Sequence, residues 1–176
     1  LLELIAAHGV EAAVAVVDGM FALGVWDRHD RVLVLARDRM GEKPLYYGRV
    51  GPAFAFASEL TAIRGLPGVA AAPDPDAVAA YLRLGFVPAP LSVVHGVSKL
   101  PPGCVVRVTA GGVAGDPSPY WSLQEVAAAG MADPVDLGDP ELVRMADRLL
   151  RESVQRRLVA DVPVGAFLSG GVDSST

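Results

Sequence analysis

The sequence predicts an α+β domain built on antiparallel strand pairs, followed by the first elements of a separate α/β domain. Apolar runs of strand length alternate with short turn segments from Met20 to Trp121, which is typical of consecutive β-hairpins. A long amphipathic helix, an apolar strand and a glycine loop follow in residues 140–176, and that order is typical of α/β domains. With 176 residues, 52% of them hydrophobic, the chain can form a folded core.

The first predicted elements are a helix and two hairpins. Residues 1–8 carry an amphipathic pattern that ends at Gly9, which indicates the last turns of a helix with a glycine cap. Strand pairs joined by turn residues are predicted at 20–26 with 32–36 and at 45–48 with 53–57. A short helix is predicted at 59–64.

Two helices are predicted from a capping residue followed by proline. Asp74-Pro75 should begin a helix that ends at Gly85, and Asp139-Pro140 gives the same signal further along the chain. A third strand pair is predicted at Cys104–Thr109 and Val113–Ala114.

The predicted second domain begins after a linker. Residues 122–139 hold glycine and proline among small residues without sustained periodicity, which is typical of an interdomain linker. A long helix with one apolar stripe should follow, and then a buried strand at Val162–Leu168 with Pro163 near its start. The predicted domains are therefore residues 1–121 and 140–176, joined by residues 122–139.

Composition excludes several classes of function. The net charge of −5 argues against binding to nucleic acid, and no apolar run approaches the roughly 20 residues that cross a bilayer. The single cysteine, Cys104, excludes an intrachain disulfide and favours a reducing compartment, here the cytoplasm. The three histidines, His8, His29 and His95, lack metal-ligand spacing.

A phosphate-binding loop is predicted at Ser169–Ser175. Gly170 and Gly171 carry no side chain, so main-chain N–H groups can approach a polyphosphate there. Hydroxyl donors come from Ser169, Ser174 and Ser175. The helix whose positive end should face the anion is expected beyond Thr176. The loop lacks the Walker lysine pattern, and a plain turn is the alternative interpretation.

Asp173 lies inside this loop, where its negative charge cannot favour a bare phosphate. Two roles stay open for it. Its carboxylate either fixes the loop by accepting main-chain hydrogen bonds or approaches a bound magnesium ion.

The loop and its flanks resemble the glutamine-hydrolysing asparagine synthetase family. Asp161-Val162-Pro163-Val164-Gly165 and the loop are similar to the start of that family's synthetase domain. The segments that resemble its glutaminase domain are Asp18–Ala22, Trp26-Asp27, Ala36–Tyr47, Ala57–Glu59, Leu100–Gly103 and Tyr120-Trp121.

The resemblance implies a fold and a reaction. Residues 1–121 would be the C-terminal part of an N-terminal nucleophile hydrolase, an αββα sandwich, and residues 140–176 would begin a synthetase domain similar to adenine-nucleotide α-hydrolases. Such an enzyme adenylates the aspartate side chain with ATP and Mg²⁺ and amidates it with ammonia from glutamine, giving asparagine, AMP, pyrophosphate and glutamate. The implied ATP-binding residues are Leu168, Ser169, Gly170, Gly171, Asp173, Ser174 and Ser175.

Alternatives to this function stay open. The same mechanism could act on another carboxylate, because residues 81–90 resemble members of the family found beside surface-polysaccharide genes. A non-catalytic scaffold and a homodimer are also open. The family's nucleophile is an N-terminal cysteine and its glutamine-binding residues lie upstream of residue 1, so no catalytic residue is assigned and glutaminase activity is not expected from this chain alone. Cys104 is interpreted as a buried core residue.

The charged residues from Arg37 to Lys43 have two interpretations. They either form a charged loop held by local ion pairs or help to align the two domains around the route of ammonia. Ser58-Glu59 has the same two interpretations.

Overall fold

A computed structural model describes residues 1–69, 72–113 and 115–175, with every side chain in these ranges except that of Ser174. The chain divides into two compact units, Leu1–Ala129 and Gly130–Thr176. The helices of the described residues are α1 (Leu2–His8), α2 (Val10–Val16), α3 (Leu60–Arg64), α4 (Pro75–Leu84), α5 (Leu123–Ala132), α6 (Asp139–Arg157) and α7 (Val172–Ser175). The strands are β1 (Ala22–Asp27), β2 (Val32–Arg37), β3 (Tyr46–Val50), β4 (Ala53–Ala57), β5 (Val97–Lys99), β6 (Cys104–Thr109), β7 (Gly112–Val113) and β8 (Ser118–Pro119).

Two antiparallel sheets form the centre of the first unit. One has the order β1-β2-β6-β7, with β8 also paired to β6, and the other has the order β4-β3-β5. The three predicted strand pairs, β1–β2, β3–β4 and β6–β7, are confirmed. Ala114, which the prediction included in the last pair, lies outside the described residues. Strands β5 and β8, of three and two residues, were not predicted.

Alternation along the strands sends successive side chains to opposite faces and creates the layers of this unit. Leu35 of β2 belongs to a buried cluster with Tyr47 of β3, between the two sheets. The next residue, Ala36, faces the other way and packs with Val14 of α2. Ile63 of α3 covers the outer face of the second sheet. The layer order is therefore helix, sheet, sheet, helix.

Two helix starts were predicted from a capping residue followed by proline, and the cap is confirmed for α4 but wrong for α6. Helix α4 spans Pro75–Leu84 as predicted, because Asp74 accepts hydrogen bonds from the Asp76 and Ala77 amides at 2.9 and 3.2 Å. Gly85 ends it with φ 76°. For α6 the predicted cap is wrong: Gly138, in extended conformation, occupies the N-cap position and Asp139 is already helical. The Asp139 carboxylate thus lies in the first turn, where negative charge suits the helix dipole.

Two helices were missed. Helix α1 ends at Gly9 as predicted, but α2 starts at the next residue and buries Val10, Ala13 and Val14 at helical spacing. Helix α5 occupies much of the predicted linker, where alanine favours helix despite the glycine there. The linker assignment itself stays a prediction. None of the described helices combines the length and apolar character needed to cross a membrane.

The second unit lacks the predicted strand. Residues 162–168 form no strand among the described residues, and Phe167 and Leu168 are exposed. A strand is defined by hydrogen bonds to a neighbour, and the described part of the chain supplies no neighbour here. No residue described between 130 and 175 is buried.

The main chain of a neighbouring segment passes close to Gly48, so a substitution at Gly48 tests the packing of the second sheet. A Cβ atom at Gly48 would lie 2.2 Å from the Gly96 carbonyl oxygen and 2.9 Å from Val97 Cα. We expect Gly48→Ala to lower the free energy of unfolding by about 3 kcal/mol or more, because main-chain atoms must move. Gly65→Ala is the matched control, since its nearest atoms lie 3.7 Å away. Urea unfolding measures both variants, and equal stability of the two would contradict the packing described.

Candidate functional site

The predicted phosphate loop is held by hydrogen bonds within itself. Gly170 has φ 78°, a left-handed conformation that favours glycine. The Gly171 amide donates to Ser169 Oγ at 3.4 Å, and Ser175 Oγ donates to the Gly171 carbonyl at 2.8 Å. A Cβ atom at Gly170 would meet nothing within 4 Å, so other protein atoms do not crowd this position.

Two details of the loop differ from expectation. The helix expected beyond Thr176 begins at Val172, because α7 lies inside the motif. Ser175 donates its hydroxyl proton to the loop, so a bound phosphate would compete with the Gly171 carbonyl for that donor. The Ser174 side chain is not among those that the structure describes.

Asp173 lines a cavity of about 580 Å³ in the second unit. The other walls come from α6, through Asp147, Leu150, Arg151, Val154 and Gln155. Arg151 Nε donates to both carboxylate oxygens of Asp147, at 3.0 and 2.8 Å, and this lowers the pKa of Asp147. Both roles left open for Asp173, fixing the loop and approaching a magnesium ion, stay predictions.

In the first unit, Arg37 and Asp38 form a buried cluster at the end of β2, with exposed fractions of 7% and 1%. Arg37 Nε, Nη1 and Nη2 donate to the carbonyls of Lys43, Leu100 and Gly41, at 2.8, 2.7 and 2.6 Å. Burial lowers the pKa of Arg37, although the neighbouring Asp38 opposes this. Three main-chain carbonyls thus surround the guanidinium.

The Asp38 carboxylate is the complementary half of the cluster. Its Oδ1 accepts from the Glu42 amide at 2.8 Å, and its Oδ2 accepts from the Lys43 and Phe21 amides at 2.9 and 3.3 Å. The main-chain carbonyl of Asp38 accepts from the Gly103 amide at 2.9 Å. Main-chain N–H groups therefore compensate much of the desolvation of this buried carboxylate.

Tyr120 closes the cluster from the end of the first unit. Its hydroxyl donates to the Arg37 carbonyl at 2.8 Å, across 83 residues of sequence. Burial, with a smaller contribution from the negative charge of Asp38, raises the pKa of Tyr120 to about 12. The Tyr120 amide donates to the Gly103 carbonyl at 2.8 Å, so both ends of this residue are fixed.

The expectation of local ion pairs is wrong for Arg37 and Asp38, because their hydrogen-bond partners are main-chain groups, some of them distant in sequence. Arg39 also binds main chain, donating from Nη2 to the Ala15 carbonyl at 2.7 Å at the end of α2. Glu59 accepts from Thr61 Oγ1 at 3.3 Å on the surface. A role of these residues around an ammonia route stays a prediction.

Cys104 lies in the core of the first unit, and His95 lies on its surface. Cys104 is 8% exposed and belongs to the core between the sheets, where burial raises the pKa of its thiol. Its interpretation as a core residue is confirmed. His95 Nδ1 lies 3.4 Å from Asp74 Oδ2. The residues that the structure describes contain no group of three metal-ligating side chains.

Comparison with known proteins identifies both segments. The family model described as "Glutamine amidotransferase domain" matches residues 1–121, and the one described as "Asparagine synthase" matches residues 145–176. The chain belongs to the glutamine-hydrolysing asparagine synthetase family. The glutamine amidotransferase match implies an α+β fold like that of N-terminal nucleophile hydrolases, in agreement with the mixed helices and antiparallel sheets of the first unit.

Individual relatives give the extent of the similarity. The chain is 33% identical over 159 residues to "Asparagine synthetase [glutamine-hydrolyzing] 3" of Bacillus subtilis, covering 90% of the chain and 24% of that protein. It is 34% identical over 161 residues to "Putative asparagine synthetase [glutamine-hydrolyzing] 2" of Methanocaldococcus jannaschii, with 90% and 30% covered. It is also 31% identical over 159 residues to "Amidase chyE" of Penicillium rubens, with 90% and 22% covered. The chain therefore spans about a quarter of the length of these relatives.

The charge of the Asp38 side chain can be removed with almost no change in the size of the side chain, by substitution with asparagine. Asp38→Asn puts an amide NH₂ where one oxygen now accepts main-chain N–H groups. We expect it to lower the free energy of unfolding by about 2–3 kcal/mol, because a buried donor is left unsatisfied. Asp30→Asn, in the exposed β1–β2 turn, should change stability by less than about 0.5 kcal/mol. Denaturant unfolding of both variants is the measurement, and equal effects would exclude the role given to Asp38.

The raised pKa of Tyr120 predicts a loss of stability at alkaline pH. Its folded pKa of about 12 exceeds the usual 10.0, so the contribution is complete below pH 10 and is lost as the pH rises towards 12. Between pH 8 and pH 11 the wild type should lose about 1 kcal/mol more than Tyr120→Phe, which has no hydroxyl to ionise. Unfolding free energies at pH 8, 10 and 11 measure this. Parallel pH profiles would show that the hydroxyl is not buried as described.

Proposed function

We propose that the chain is part of an ATP-dependent, glutamine-hydrolysing amide ligase, with asparagine synthetase as the best assignment. The order of the two family matches carries this proposal, because a glutamine amidotransferase segment precedes an asparagine synthase segment in one chain. The first would release ammonia from glutamine, and the second would activate the aspartate side chain with ATP. Glutamine, aspartate and ATP are the proposed substrates.

The chemistry explains why two such segments are joined. A carboxylate is a poor electrophile, and adenylation provides AMP as a leaving group that ammonia can displace. Ammonia that passes between sites without meeting bulk water stays unprotonated and concentrated. An enzyme of this kind therefore needs both a source of ammonia and a site that divides ATP into AMP and pyrophosphate.

The loop from Leu168 to Ser175 supports the second of these tasks. Main-chain groups around Gly170 and Gly171 would contact the polyphosphate, with hydroxyls of Ser169, Ser174 and Ser175 as further donors. Leu168, which is 74% exposed, would lie against the adenosine. Helix α7 begins at Val172, directly after the glycines.

Asp173 is the residue we propose to hold magnesium. Mg²⁺ in nucleotide sites is bound by one or two carboxylates together with substrate phosphates and water, so a full protein cage is not required. Asp173 lines the cavity beside the loop, and Asp147 in the same cavity is engaged by Arg151. One carboxylate at this position fits such an ion, whose charge would neutralise the phosphates.

The catalytic residue for glutamine hydrolysis is not assigned to this chain. Cys104 is buried in β6 with a raised pKa, which is opposite to the environment of a reactive thiolate. We therefore propose that the 176-residue chain alone does not hydrolyse glutamine.

A second candidate keeps the mechanism and changes the acceptor. The relative from Penicillium rubens also matches 90% of the chain, yet its name is that of an amidase. The similarity of this chain extends to proteins named for other reactions, so an acceptor carboxylate other than aspartate is the alternative. AMP formation by the full-length protein with aspartate, compared with sugar and peptide carboxylates, distinguishes the two.

The role of Asp173 gives the sharpest test of the nucleotide site. In the full-length protein, Asp173→Ala should abolish aspartate-dependent pyrophosphate release, because the metal that neutralises the phosphates loses its carboxylate. Glutamine hydrolysis, measured as glutamate, should remain. Asp136→Ala, an exposed carboxylate outside the segment that matches the asparagine synthase model, is the matched control and should retain release. Unchanged pyrophosphate release in Asp173→Ala would remove this residue from the site.

A further inference from the structure

Tyr120 lies where the chain leaves the segment that matches the glutamine amidotransferase family. That match ends at residue 121 and the asparagine synthase match begins at residue 145, so residues 122–144 join the two. Helix α5 starts at Leu123, directly after the end of the first match, and α6 starts at Asp139. The connection between the matches is therefore helical for most of its length, and its course depends on how α5 begins.

The end of the first match is held by several hydrogen bonds to the rest of its unit. Strand β8, just before Tyr120, pairs with β6. The Tyr120 and Trp121 amides both donate to the Gly103 carbonyl, at 2.8 and 3.2 Å. The Tyr120 hydroxyl donates to the Arg37 carbonyl at 2.8 Å. Of these bonds, the one made by the hydroxyl can be removed without touching the main chain.

The first turn of α5 is built directly on this anchored end. Ser122 follows Trp121, and its Oγ accepts from the Glu125 amide at 3.3 Å. The Ser122 carbonyl accepts from the Val126 amide at 3.1 Å. Because a helix is a stiff element, the residue at its N-cap position sets where it begins. The residues that hold Ser122 in place therefore set the position of the first turn of α5.

The first turn of α5 faces the turn that follows β2. Both line one cavity of about 650 Å³ in the first unit, α5 through residues 123–125 and the other turn through Arg39 and Met40. The Arg37 carbonyl that Tyr120 binds lies just before that turn. The hydroxyl of Tyr120 thus fixes the spacing between the two walls of the cavity.

We propose that Tyr120 is a positioning residue for the coupling of the two reactions in the full-length protein. This inference rests on the proposed function, in which ammonia released from glutamine is used by the synthetase segment. Ammonia that escapes to bulk water is diluted and protonated, so its use depends on how the two segments are held. Tyr120 acts through the first turn of α5 and not on a substrate. Without its hydroxyl, both reactions should proceed, but less of the ammonia should reach the acceptor.

Product ratios in Tyr120→Phe test this coupling. With glutamine, acceptor and ATP, the full-length variant should release about threefold or more glutamate per AMP than the wild type. Glutamine hydrolysis, and AMP formation with added ammonium chloride in place of glutamine, should each stay within about twofold of the wild type. A merely structural role would lower all of these rates together and leave the ratio of glutamate to AMP unchanged, which would overturn the proposal.

Tyr47→Phe is the matched control for the loss of a buried hydroxyl. Tyr47 belongs to the core between the two sheets and is 7% exposed. Its substitution should leave the ratio of glutamate to AMP as in the wild type. An equal rise in Tyr47→Phe and Tyr120→Phe would contradict a specific role for Tyr120. A wild type that forms no AMP with either nitrogen source would instead contradict the proposed function, and the coupling role would fall with it.

Hydrogen exchange tests the positioning separately from any activity. In the 176-residue chain, the Glu125 and Val126 amides should exchange about fivefold faster in Tyr120→Phe than in the wild type, because the first turn of α5 loses its anchor. The Val78 amide is the matched control, since it makes the same kind of bond, to the Asp74 carbonyl at 3.1 Å, in the first turn of α4. Unchanged exchange at Glu125 and Val126, or an equal increase at Val78, would overturn the role given to Tyr120.

Discussion

The first unit depends on two buried charges whose hydrogen bonds go mainly to the main chain. Arg37 and Asp38 lie at the end of β2. Their side chains bind main-chain groups of Phe21, just before β1, of residues 41–43 and of Leu100. A buried charge without partners would cost several kcal/mol, so each segment is held where its carbonyl or amide is required. One arginine and one aspartate therefore fix four parts of the chain that are separate in sequence, because Tyr120 joins them through its hydroxyl.

This arrangement matters for the proposed function because it stiffens the part of the chain that matches the glutamine amidotransferase family. The 41–43 loop has its main chain fixed by buried bonds, while Glu42 and Lys43 are exposed. A surface whose main chain is already fixed and whose side chains face outward loses little conformational entropy when a partner binds to it. The second unit is the opposite case: its loop is ordered by short local bonds and no described residue there is buried.

Sequence patterns predicted the elements that are determined by interactions between residues close together in the chain. The hairpins and α4 follow from turn residues, apolar alternation and the Asp74 cap, each of which acts within a few residues. The Arg37–Leu100 bond spans 63 residues, and no pattern near Arg37 indicates a carbonyl so distant. Residues 162–168 have the composition of a buried strand, but composition does not supply the neighbouring strand that creates one. The loop residues could be proposed from the sequence because glycine and serine spacing is a local pattern, whereas the α6 residues around Asp173 depend on tertiary packing.

The proposed enzyme couples glutamine hydrolysis to cleavage of ATP between its α and β phosphates, and product stoichiometry measures that link directly. The full-length protein would be given glutamine, aspartate and ATP labelled in the α phosphate, and glutamate and labelled nucleotide would be quantified together. This coupling predicts AMP as the labelled product, with no more AMP than glutamate and none when the acceptor is omitted. Labelled ADP, or glutamate release with no AMP in the presence of every carboxylate tested, would contradict it.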